Sequence, residues 1–132
     1  MYSRIVILSF LILSFIINGC YDEELTLRIE GKILDRINNS PISGAHIELW
    51  TFIGINKKTN FLTSTNTNNK GHYSLGYTYD NRANCGTYDF ALEVSKEGYI
   101  TKIFSPTSQF YKIKIKCKDN LQVFDLLLER SD

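Results

Sequence analysis

Leu25-Thr26-Leu27-Arg28-Ile29-Glu30-Gly31-Lys32-Ile33 alternates apolar with polar residues, so Leu25, Leu27, Ile29 and Ile33 share one side of an extended chain. Thr26, Arg28, Glu30 and Lys32 take the other side, the period-two mark of a strand with one wet face. Asn38-Asn39-Ser40-Pro41 breaks this strand. The same period recurs down the chain between turn signals. Ala45, Ile47 and Leu49 oppose His46, Glu48 and Trp50 in a second strand, and a Thr-rich third runs from Phe61 to Thr67. Asn68-Asn69-Lys70-Gly71 turns the chain into a fourth, with Tyr73, Leu75, Tyr77 and Tyr79 on one face. Tyr88, Phe90, Leu92 and Val94 mark a fifth, and Tyr99 to Phe104 a sixth that ends at Pro106. In the seventh, Tyr111, Ile113, Ile115 and Cys117 alternate with Lys112, Lys114, Lys116 and Lys118. Leu121 to Leu128 supplies the last, with Phe124, Leu126 and Leu128 toward the core. No helical period is sustained over residues 25–130. The pattern predicts an all-β domain, a sandwich of seven or eight strands.

The chain has 132 residues, 43% hydrophobic and 22% charged, with a formal net charge of +1. That length suits one domain. The charge excludes the broad basic surface of a nucleic-acid binder, and the hydrophobic fraction excludes a disordered chain. Much of the apolar content sits at the start. Ile5 to Ile17 is apolar except for Ser9 and Ser14, and it follows Arg4, the pattern of a signal peptide. As a helix it would reach roughly 20 Å, short of the ~30 Å of a bilayer's hydrocarbon core. Ile17-Asn18-Gly19-Cys20 resembles the lipobox of bacterial lipoproteins. That resemblance implies removal of residues 1–19, acylation of Cys20 and a stable lipid anchor. Residues 20–24 would then be a lipidated, acidic tether, Tyr21-Asp22-Glu23-Glu24 after Cys20, and residues 25–130 the sandwich. The acidic cluster resembles tags of surface-exposed lipoproteins. The expected location is the bacterial outer membrane, at the cell surface, with the periplasmic face as the alternative.

With Cys20 committed to lipid, Cys85 and Cys117 remain in a compartment that permits disulfides. They can bridge a polar loop to the seventh strand, or stay as two thiols. No Cys-x-x-Cys, Gly-x-Ser-x-Gly, His-Glu-x-x-His or phosphate-cradling glycine loop is present, so no catalytic residue, metal or cofactor is expected. His46 and His72 project from the wet parity of their strands. Two surface features suit binding. Trp50 and Phe52 share the outward parity of the second strand, where an aromatic pair can stack on sugar or meet a protein, or lie covered by a neighbouring loop. Lys112, Lys114 and Lys116 form a basic stripe that suits anionic glycans or headgroups, or simply a solvated, edge-protecting face.

Gly31-Lys32-Ile33-Leu34-Asp35, Pro41-Ile42-Ser43-Gly44-Ala45-His46-Ile47-Glu48-Leu49, Thr65 with Asn69-Lys70-Gly71-His72-Tyr73, and Val94-Ser95-Lys96-Glu97-Gly98-Tyr99 follow one another in order. Together they resemble the carboxypeptidase regulatory-like, or transthyretin-like, domain over about residues 25–105. The polar insert around Cys85 departs from that pattern. The resemblance implies a Greek-key sandwich serving as an accessory module without chemistry of its own. The expected function is therefore a lipid-anchored, non-enzymatic module of the cell envelope. Its partners would be the membrane and an outer-membrane protein complex or, as the alternative, a surface glycan that it binds or adheres to.

Overall fold

The computed structural model describes residues 25–52, 58–79, 89–115 and 121–132. They form eight strands and no helix: β1 (Leu25–Asp35), β2 (His46–Phe52), β3 (Lys58–Asn66), β4 (His72–Tyr79), β5 (Asp89–Ser95), β6 (Lys102–Phe104), β7 (Leu121–Val123) and β8 (Leu126–Leu128). β1 is the centre of the first sheet. It pairs antiparallel with β4, from Leu25 opposite Tyr79 to Lys32 opposite His72. On its other side it pairs parallel with β7 and then β8. The second sheet, in the order β3-β2-β5-β6, is antiparallel throughout.

Alternation places the core as the sequence predicts. Leu27, Ile29 and Ile33 of β1 and Tyr73 and Leu75 of β4 are buried against Ile47, Leu49, Leu92, Val94 and Phe104 of the second sheet. Each sheet has one apolar face, and joining the two removes both from water. The all-β, two-sheet architecture expected from the period is what forms.

Three strands differ from expectation, the expected seventh, sixth and last. Tyr111 to Ile115 keeps its alternation, with Lys112 and Lys114 exposed and Ile115 buried, yet it joins no sheet ladder. Instead the Ser105 amide donates to the Tyr111 carbonyl (3.0 Å) and the Ile113 amide to the Ser105 carbonyl (3.3 Å). Side-chain parity specifies faces and leaves the hydrogen-bonding partner open. The expected sixth strand is also shorter, since Tyr99 makes only an isolated bridge to Arg130 before β6 begins at Lys102.

The last strand divides at Phe124-Asp125, where it passes closest to Gly31. β7 and β8 keep one common register on β1, but between them the Phe124 carbonyl presses onto Gly31. A Cβ at residue 31 would overlap that oxygen. The crossing is pinned by three bonds: the Phe124 amide to the Glu30 carbonyl (2.8 Å), the Lys32 amide to Asp125 Oδ1 (2.9 Å), and the Tyr73 hydroxyl to the Phe124 carbonyl (2.8 Å). Burial, with the Asp125 carboxylate second, pushes the Tyr73 phenol above its ordinary range, so it remains a donor. Phe124 itself is only half-buried, unlike Leu126 and Leu128.

At the far end of β1, the buried Asp35 carboxylate ties two turns and the C-terminal segment together. Its Oδ2 accepts from Arg130 Nε (2.7 Å) and the Tyr99 hydroxyl (3.0 Å), and its Oδ1 from the Ile37 amide (2.8 Å). The Arg130 bond first, and the Ile37 amide next, hold the carboxyl down to about 2.

Removing the hydroxyl in Tyr73→Phe should cost about 1 to 2 kcal/mol in urea unfolding, because it leaves the Phe124 carbonyl short of a donor. Gly31→Ala should cost more, about 3 kcal/mol, since β7 and β8 must lift off β1. A Gly31→Ala protein as stable as wild type would contradict the close approach. Because folding lowers the Asp35 pKa, its stabilisation is present above the unfolded value near 4 and is lost as pH falls toward about 2. Thermal melts between pH 5 and pH 2.5 should therefore show a smaller acid-induced drop in Tm for Asp35→Asn than for wild type, and equal drops would count against this assignment.

Candidate functional site

Trp50 lies half-buried on the outer face of the second sheet, and its polar atom is already used. Its indole N–H donates to Glu48 Oε2 (2.8 Å), and its ring meets Phe61 edge-on (centroids 5.6 Å, 71°). Lys58 Nζ stands 4.5 Å from the same ring and ion-pairs with Glu93. His46 spans Asn66 Oδ1 (2.8 Å) and Glu48 Oε1 (3.3 Å). The aromatic partner of Trp50 is thus Phe61, directly opposite it on β3. Phe52 closes β2, and its side chain is outside the described set, as are Cys20, Cys85, Cys117 and Lys116. This face is a network of groups that satisfy one another.

A second locality, which the alternation argument passed over, is open. On β6 the burial pattern runs buried, half-buried, buried, so Lys102 shares the inward parity of Phe104. A lysine at that parity was the available signal. Its side chain is 5% exposed. The ammonium lies 4.3 Å above the Tyr111 ring, which in turn meets Phe104 edge-on (centroids 5.3 Å, 63°). Lys102 Nζ is 3.1 Å from Glu129 Oε1, an ion pair off the line of a hydrogen bond, and it has no hydrogen-bond partner among the described residues. Glu129 is also ion-paired with Arg36.

The loop after β6 sets the aromatic wall. Ser108 turns back on itself: its amide donates to Ser105 Oγ (3.1 Å), while its own Oγ accepts from the amides of Phe110 (3.2 Å) and Tyr111 (3.0 Å). A loop closed by side-chain hydroxyls in this way holds its geometry without a sheet partner. It leaves Phe110 82% exposed beside a cleft of about 510 Å³ that is lined by residues of both β6 and β8. Lys102, Phe104, Phe110, Tyr111 and Arg36 line it, and Lys112 of the expected basic stripe lines it too. That size is in the range of small-molecule sites. Asp125, on the rim, is occupied by the Lys32 amide. Among the described residues no three His, Cys, Asp or Glu side chains gather, and His46 and His72 lie on different sheets.

No protein-family model and no curated protein matches the chain. Among solved structures the chain is similar to hydroxyquinol 1,2-dioxygenase from Pseudomonas putida DLL-E4, with a TM-score of 0.53 and 11% identity over 83% of this chain and 58% of that one. It is similar to 3-chlorocatechol 1,2-dioxygenase from Rhodococcus opacus 1CP, at 0.54 and 13% over 86% and 63%. The Bacillus anthracis TIE protein matches at 0.54 and 12%, over 80% of this chain and 17% of that one. The chain therefore spans less than two thirds of each neighbour, and at these identities the likeness is one of fold. It corrects the expectation of a non-enzymatic accessory or adhesive module. That expectation took the sandwich as a body without chemistry, and here the same sandwich is shared with enzymes.

Proposed function

We propose that this chain is a lipid-anchored domain that binds a small ring-bearing compound in the cleft between β6 and β8. The observation that carries the reading is the cleft's build: a hydroxyl-braced loop that holds the exposed Phe110 beside Tyr111 above a buried cation. Such a combination recognises a flat ring by stacking and orients it by charge. The dioxygenases of similar fold are named for catechol, chlorocatechol and hydroxyquinol, all small aromatic rings, which makes these compounds the first to try. The anchor is Cys20, after removal of residues 1–19, and the finer architecture is a transthyretin-like Greek key.

Catechol titrated into isotope-labelled protein should shift the amide resonances of residues 102–113, with an affinity on the order of 1 mM for so small a ligand. Phe110→Ala should weaken it several-fold. Shifts confined to the Trp50 face, or no shifts at all, would overturn the site. Oxygen uptake with catechol reads turnover in the same sample. Intact mass of protein extracted from membranes should show an acylated chain that begins at Cys20, and a deficit of two protons if Cys85 and Cys117 are joined. A chain that retains residues 1–19 would remove the anchor.

A further inference from the structure

Resting on that reading of the cleft, we infer that its ligand is a ring-bearing carboxylate whose anionic group takes the place of the Glu129 carboxylate between Arg36 and Lys102. Glu129, next to the residues that line the cleft, shows which group Arg36 and Lys102 accept. Its carboxylate bridges two cations, one from the turn after β1 and one from β6, that no local sequence relation brings together. The bridge is incomplete on the lysine side. An ammonium carries three donors, and a buried donor without an acceptor is costly. Lys102 Nζ is buried, is charge-compensated by Glu129 at 3.1 Å, and still has no hydrogen-bond acceptor among the described residues. An external carboxylate is free to align with those donors, whereas the Glu129 carboxylate is held by its own stem.

The exchange requires little movement. The Glu129 side chain is 34% exposed, and its backbone carbonyl is held separately by the Ile100 amide (2.8 Å), so the carboxylate can rotate to water without moving the strand end. Lys102 remains in place, because the Tyr111 ring beneath its ammonium holds it. With Glu129 turned away, Arg36, Lys102 and Lys112 face the cleft against the single carboxylate of Asp125, which is bound to the Lys32 amide. The ring of the ligand then lies along Phe110 and Tyr111.

Benzoate and its neutral isostere benzamide separate charge from shape. By calorimetry on the full chain, benzoate should bind about tenfold more tightly than benzamide, the weight of one charge-assisted hydrogen bond. Glu129→Gln, which removes the internal competitor, should raise benzoate affinity about three- to tenfold and leave benzamide unchanged. Lys102→Met should abolish the preference for benzoate, and Arg36→Gln, at an exposed position that does not threaten folding, should reduce it. Equal affinities in wild type, or a preference that survives in Lys102→Met and Arg36→Gln, would overturn the carboxylate inference and leave the cleft as a site for neutral rings. If neither compound shifts residues 102–113, both the inference and the cleft reading fail.

Discussion

The contact between the Phe124 carbonyl and Gly31 determines how the first sheet is finished. Only a residue without a side chain lets the backbone of the last strand lie this close to β1, and the Tyr73 hydroxyl then caps the same oxygen from β4. Three strands are thereby joined at one atom. β7 and β8 stay in register on either side, which carries Leu126 and Leu128 into the core. Both β6 and β8 line the cleft, and residues 105–115 beside them pair with neither strand.

Charge is handled differently at the two neighbouring sites. Asp35 is buried and fully answered, by Arg130, Tyr99 and backbone amides, so it acts as a permanent tie among the turns. Lys102 is also buried, but its carboxylate partner is one-third exposed and poorly aligned. A fully hydrogen-bonded buried charge fixes the groups around it, whereas the Lys102 ammonium keeps donors without an acceptor among the described residues. The outer face of the second sheet belongs with Asp35 in this respect. Trp50, Glu48, His46 and Asn66 use their polar atoms on one another.

Much of the fold was readable from local pattern. The parity of Leu27, Ile29 and Ile33 names a buried face, and the turn positions Gly44, Gly71 and Gly98 all adopt positive φ (68°, 73° and 81°). Alternation at Tyr111 to Ile115 predicts a strand that does not form there, because alternation alone carries no information about a partner. The parity of β2 puts Trp50 on the side opposite Ile47 and Leu49, while its contact with Phe61 depends on the β2–β3 register. The candidate site was the least readable part. Lys102 stands on a core parity beside Phe104, but its meaning depends on Tyr111, Glu129 and Arg36, which lie on other segments.

Local pattern alone specifies the all-β character of residues 25–130, the inward face of most strands and the places where the backbone turns, since these follow from the two-residue period and from glycine's conformational freedom. Which strands become neighbours, where the last strand divides beside Gly31, and that one inward lysine borders an open cleft are set by long-range packing. Those outcomes depend on contacts between residues far apart in the chain, and no local pattern encodes the distance between them.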